Sequence, residues 1–104
     1  MSHGHTSILY STHTGDAGTE ITEQSITLNN AWTNYRFLYI VTGNGLVIME
    51  SSYIPTHSLS LGNVIDLFFF MSSLEKHSKV EIVDSDTVKI TLGTWTMLKI
   101  YGVL

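Results

Sequence analysis

The chain contains no cysteine. That excludes a disulfide framework, a thiolate metal site and a cysteine nucleophile, and it leaves the redox compartment open. Charge is scarce as well: Asp, Glu, Lys and Arg make up 13% of the 104 residues, against roughly 25% in an ordinary soluble domain. The five cations, Arg36, Lys76, Lys79, Lys89 and Lys99, are scattered along a chain of formal net charge −4. No basic stripe of the kind that follows a phosphate backbone exists, which argues against a nucleic-acid partner. Long apolar runs are missing too. The most apolar stretch, Val64–Met71, is far shorter than the roughly 20 residues a membrane-crossing helix needs. The opening MSHGHTS has no basic segment followed by an apolar one, so it does not read as a secretory signal. No segment of useful length has helical periodicity, and there is no internal repeat, low-complexity tract or linker.

What is present is strand-forming sequence, arranged around Leu28–Ile54. Two apolar runs, Phe37–Val41 and Leu46–Met49, flank Thr42-Gly43-Asn44-Gly45, a turn whose Gly and Asn accept positive φ. Because both runs are almost continuously apolar, this hairpin is expected in the middle of a sheet with both faces covered. Gly43-Asn44-Gly45 lacks the Lys-Ser/Thr pair and the following helix of a phosphate loop, and reads as a turn. On the N-terminal side, Ser7–Ser11 is a short strand with Ile8 and Tyr10 on one face and Leu9 on the other. Thr12–Glu20 is a turn-rich loop, and Ser25–Leu28 alternates with Ile26 and Leu28 on one side. Asn29–Tyr35 fits a single helical turn or wide loop, with Trp32 and Tyr35 folding back to cap the core.

Beyond the hairpin, Pro55 stops the second strand or marks it as an edge, because proline cannot donate to a ladder. Thr56–Asn63 is a connection that leaves room for a short strand at Ser58–Leu61. Val64–Met71 is expected to be the most buried strand, with Asp66 as an anomaly inside it, and Ser72–Ser78 a loop. Val80–Val83 and Val88–Leu92 form a second hairpin with one wet face: Val80, Ile82, Val88, Ile90 and Leu92 inward, Glu81, Lys89 and Thr91 outward. A turn around Trp95 leads to a last strand, Leu98–Val103. About seven or eight strands at this spacing give one domain, an all-β antiparallel β-sandwich of jelly-roll or Greek-key type.

Catalytic patterns are absent. His13, His57 and His77 lie in Ser/Thr-rich segments without a nucleophile elbow, and no spacing singles out a carboxylate pair among Glu20, Glu23, Glu50, Glu75 and Asp66. The chain is therefore not read as an enzyme. Asp66 between Ile65 and Leu67 would cost several kcal/mol if buried and ionised alone, so it is expected to face solvent or a partner. Trp32, Trp95 and the tyrosines suit stacking on sugar rings, although a core or cap position is the commoner fate of such side chains. Tyr53, beside Ser51-Ser52 and near Pro55, is the one expected to be exposed. His3 and His5 point the same way in an extended segment. One chain supplies two ligands, whereas three chains around an axis supply six nitrogens, an octahedral shell for a first-row divalent metal. The alternative is a tail or a tag remnant.

Several of these stretches together resemble the C-terminal head domains of phage tail-fibre and related tail receptor-binding proteins. Leu9-Tyr10-Ser11, Gly15–Gly18, Ile26-Thr27-Leu28 and Tyr35–Val41 follow a recurrent order there, and Lys99-Ile100-Tyr101-Gly102-Val103 is similar to the usual ending. The resemblance implies a homotrimer at the tip of a virion tail fibre, outside the cell, that binds a bacterial surface polysaccharide or outer-membrane protein without turnover, membrane insertion or nucleic acid. Residues 1–6 would be the end of a fibre shaft or a tag remnant, and 7–104 the head. His-x-His steps in such shafts hold a metal on the threefold axis, which implies iron, nickel or zinc at His3 and His5. Specificity would lie in the loops Thr12–Glu20, Asn29–Tyr35, Ser51–His57 and Ser72–Ser78, with Trp32, Tyr53, His57 and His77 as receptor-contact candidates. A virion structural module (baseplate or capsid decoration) and a stand-alone lectin-like domain are the alternative functions.

Overall fold

The computed structural model describes residues 6–12, 20–44 and 47–104. Eight strands are formed: β1 (Thr6–Ser11), β2 (Ile21–Thr27), β3 (Phe37–Asn44), β4 (Val47–Pro55), β5 (Val64–Met71), β6 (Leu74–Ile82), β7 (Thr87–Leu92) and β8 (Met97–Val103). They make two four-stranded antiparallel sheets, sheet I in the order β1-β8-β3-β4 and sheet II in the order β2-β7-β6-β5. The expected all-β sandwich is what forms. In sheet II the hairpin-connected run β5-β6-β7 is completed by β2 from the other end of the chain, a Greek-key order run in reverse. Among the described residues the only helical pieces are two 3-10 turns, Trp32–Asn34 and Thr56–Ser58, and no helix is long and apolar enough to cross a membrane.

The core lies between the sheets and follows the period of two that strands impose. Leu38 and Ile40 of β3 and Leu98 and Ile100 of β8 meet Val80 and Ile82 of β6 and Val88, Ile90 and Leu92 of β7. The inward and outward assignment of the β6–β7 hairpin is the one its alternation predicts. Trp32 and Tyr35 close one end, as the Asn29–Tyr35 segment suggested: Trp32 is buried, and its indole N–H donates to the Asp84 carbonyl at 2.7 Å. The Tyr35 ring lies against β8 at Gly102, where a Cβ would come within 2.6 Å of ring atoms. Only glycine allows that approach. Inside the other end, the Thr42 and Ser78 hydroxyls join the two sheets at 2.5 Å, and the Thr42 hydroxyl donates to the Met97 carbonyl at 2.8 Å.

Five expectations are corrected. The Phe37–Met49 hairpin is not central: β3 is internal, but β4 is the edge of sheet I, with Val47, Ile48 and Met49 exposed. Val64–Met71 is likewise an edge, and only Phe69 of its aromatic run is buried, while Val64, Phe68 and Phe70 face out. In both cases the unbroken apolar run marks an apolar outer surface rather than burial on two faces. In β1 a bulge between Ile8 and Tyr10 shifts the register, so that Leu9 is buried and Tyr10 packs on the core while Ile8 is exposed. Ser72–Ser78 is mostly strand: a two-residue turn at Ser72-Ser73 joins β5 to β6, which begins at Leu74. No strand forms at Ser58–Leu61, where the 3-10 turn after Pro55 ends the edge strand.

Candidate functional site

The outer face of sheet I is built from alternate residues of its four strands. Cross-strand pairing sets them in transverse rows: Tyr101, Tyr39 and Tyr53 in one, Lys99, Val41 and Ser51 in the next, and Met97, Gly43 and Ile48 beyond. Rows lie about 7 Å apart, two residues of strand rise. The first row is tall and aromatic. Tyr39 and Tyr53 stack with centroids 4.3 Å apart, Tyr101 lies 6.0 Å from Tyr39, and Phe37 meets Tyr53 edge-on at 6.4 Å. The second row is low, because Val41 is short and buried and Gly43 beside it has no side chain. A side chain at Gly43 would collide with the Val47 carbonyl at the bulge in the β3–β4 ladder. The result is an open groove of about 240 Å³ floored by Val41 and walled by Tyr39, Tyr53, Tyr101, Lys99 and Ile48.

Tyr53 is 62% exposed although one face of its ring stacks on Tyr39, Tyr39 and Tyr101 are half-buried, and the three hydroxyls have no acceptor among the described residues. Such a surface offers apolar ring area together with hydrogen-bonding tips.

The outer face of sheet II is charged. Asp66, Phe68 and Phe70 of β5 stand beside Lys79, His77 and Glu75 of β6. The His77 ring is clamped between two carboxylates, Nδ1 to Asp66 Oδ1 at 2.9 Å and Nε2 to Glu75 Oε1 at 2.7 Å. The hydrogen bond to Asp66, then that to Glu75, raises the His77 pKa above its ordinary value. Asp66 therefore has both solvent and a partner, which accounts for a carboxylate amid apolar neighbours. A depression of about 380 Å³ lined by His77, Glu20, Glu75, Lys76, Lys79 and Thr91 has walls of both charge signs and no Phe, Tyr or Trp.

The four receptor-contact candidates are not gathered at one place. Tyr53 lies on the outer face of sheet I, and His77 on that of sheet II. His57 is exposed on the 3-10 turn after β4, outside the groove. Trp32 is only 6% exposed with its N–H already used, so it has no face for a ligand; it acts as a structural cap. Trp95, by contrast, is exposed at the tip of the β7–β8 turn with φ of 66°. His3 and His5, like most of the Thr12–Glu20 loop, lie outside the described residues; among the described residues no cluster of His, Asp and Glu is placed to hold a metal. Tyr39, Tyr101 and Lys99 were not singled out from the sequence. The available signal was tyrosine, rather than valine or leucine, at alternating positions of two strands that pair.

Fold and face together define an all-β sandwich with one aromatic and one charged outer surface. Comparison of the chain with protein-family models, with curated proteins and with solved structures finds no match.

Proposed function

We propose that this protein is a host-receptor-binding head of phage tail-fibre type, which recognises a bacterial surface glycan through the tyrosine face of sheet I and works as a homotrimer. The observation that carries the reading is the transverse row Tyr101–Tyr39–Tyr53 on the outer face of a sheet, with Tyr53 exposed and Tyr39 and Tyr101 half-buried beside it. Stacking on an aromatic ring needs no cleft, and a sheet face holds its rings in place without an entropic cost of ordering at binding. Low charge and the exposed apolar residues of β4, β5 and β6 support assembly. The same reading has His3 and His5 of three chains sharing a divalent ion, iron, nickel or zinc, on the axis.

The test is adherence of the purified protein to a panel of bacterial strains, read by fluorescence, beside the same cells stripped of surface polysaccharide. Expected is strain-selective binding that stripping removes and that Tyr53→Ala weakens at least tenfold with the fold intact. Binding that survives stripping would point to an outer-membrane protein as receptor. No adherence to any strain would favour a virion structural module.

A further inference from the structure

We propose that the groove of sheet I selects an anionic sugar, with Lys99 as the residue that reads the charge. This deepens the glycan reading and rests on it. Lys99 sits in the low row of the groove, paired across the ladder with Val41 and one row from Tyr101 and Tyr39. It is half-buried, so its stem lies on apolar surface while the ammonium stays at the mouth, the usual compromise of a lysine on such a face. No carboxylate among the described residues pairs with its ammonium: both ion pairs there belong to His77, and neither involves Lys99. Among the outward positions of β1, β8, β3 and β4 it is the one charged side chain.

Most of the protein's acidity lies away from the groove. Glu23, Asp66, Glu75 and Glu81 belong to the strands of sheet II, and Asp84 and Asp86 to the turn between β6 and β7. On sheet I, Glu50 of β4 pairs with the inward-facing Thr42, and its carboxylate accepts the Ser51 N–H at the sheet edge. Packed sheets lie about 10 Å apart before side chains are added, which is at least the screening length of about 8 Å at physiological salt. A ligand in the sheet I groove therefore meets Lys99, while Glu50, the acidic side chain on the strands of that sheet, lies outside the groove lining. Size and chemistry narrow the ligand further. The groove, at about 240 Å³, is below the roughly 300–1,000 Å³ of sites that enclose a drug-sized ligand, and it suits one ring. A single cation is too few for a nucleic-acid backbone. A pyranose carrying a carboxylate or phosphate uses every feature present: a C–H face on Tyr53, hydroxyls on the phenol groups, and the anion on Lys99.

The test is a set of matched oligosaccharide pairs, immobilised and probed with the full chain: uronic-acid and neutral-hexose, sialylated and desialylated, phosphorylated and dephosphorylated. Expected is that the acidic member of at least one pair binds about tenfold tighter, as one charge-assisted contact gives, and that this preference fades as salt is raised. Lys99→Gln should bring the acidic member down to the neutral one, Lys99→Arg should keep the preference, and Tyr53→Ala should weaken both members. Which pair responds tells carboxylate from phosphate. Equal binding of acidic and neutral members, or a preference that Lys99→Gln leaves intact, would overturn the role of Lys99 while the glycan reading stands. No binding to any member, with Tyr53→Ala adhering to cells as the parent does, would remove the glycan reading and this inference with it.

Discussion

Single side chains hold the sandwich together at positions where one change has a defined cost. Thr42 and Ser78 are fully buried, and their hydroxyls form a side-chain hydrogen bond between the two sheets. With Thr42 donating to Met97, Ser78 donates to Thr42. Thr42→Val keeps the shape but strands the Ser78 hydroxyl and the Met97 carbonyl, which should cost about 1–3 kcal/mol. Thr42→Val with Ser78→Ala should cost less than the two single changes summed, with a coupling of at least about 0.5 kcal/mol in urea melts. Additive effects would mean that the two hydroxyls do not share a proton. His77 gives a second prediction, of direction only, because the ring and both carboxylates are partly exposed and screened. Its pKa is raised in the folded state, so its contribution to stability is complete below the unfolded value of about 6.5 and is lost as pH rises through the folded pKa. The urea midpoint should therefore decline slightly above that pH in the parent and stay flat in His77→Gln. Titration of the ring by NMR should show Asp66→Asn lowering the pKa more than Glu75→Gln.

At the scale of strands, the β5–β6 hairpin departs furthest from what its sequence suggests. Ser72 and Ser73, with φ of 52° and 68°, fill both central positions of a two-residue turn. That is the turn that Asn-Gly fills without strain, whereas the left-handed region costs other residues roughly 1–2 kcal/mol each. Ser72→Asn with Ser73→Gly should therefore stabilise the chain by about 1 kcal/mol, seen as a rise in the urea midpoint; a fall would mean that the serine side chains contribute to the turn. The same pair explains why β6 was legible only from Val80 onward. A Ser-Ser turn carries no glycine or asparagine to announce it. The stretch Leu74–His77 then runs past the end of β7, whose pairing with β6 starts at Ser78, so no inward alternation builds up there. Where a strand has one wet face and one dry, as in Val80–Ile82 and Val88–Leu92, the sequence shows both strand and facing. Where a strand is apolar on both faces, as in Phe37–Val41 and Val64–Met71, it shows the strand and hides which face is open. The tyrosine row was hidden for that reason: Tyr53 could be picked out beside two serines and a proline, but Tyr39 and Tyr101 become a surface only once β3 and β8 are known to be neighbours.

For the molecule as a whole, the distribution of apolar surface bears on assembly. The ends of two hairpins meet, with the Asn44 side-chain amide donating to Met71 Sδ at 3.2 Å. Around that junction Val47, Ile48, Phe70 and Leu74 are all more than half exposed. Covering a large exposed apolar side chain is worth about 1.5–3 kcal/mol, so this patch favours association, and it lies on strand edges that otherwise invite uncontrolled pairing. Phe70 and Leu74 stand clear of the sheet I groove, whereas Ile48 belongs both to this patch and to the groove wall, so substitutions at Phe70 and Leu74 test assembly without touching the groove. The proposed trimer should therefore appear as three times 11.6 kDa by light scattering after size exclusion, and Phe70→Ser with Leu74→Ser should shift it to monomer while circular dichroism keeps its strand signal. If the proposed ion is shared by His3 and His5 of three chains, a strong chelator should lower the thermal midpoint of the parent trimer and leave the monomeric variant unmoved. A trimer indifferent to chelator would remove the metal and keep the assembly. A parent that is monomeric at every concentration would remove both, and the tyrosine groove would then have to act alone, as a one-site lectin whose avidity comes from whatever carries it.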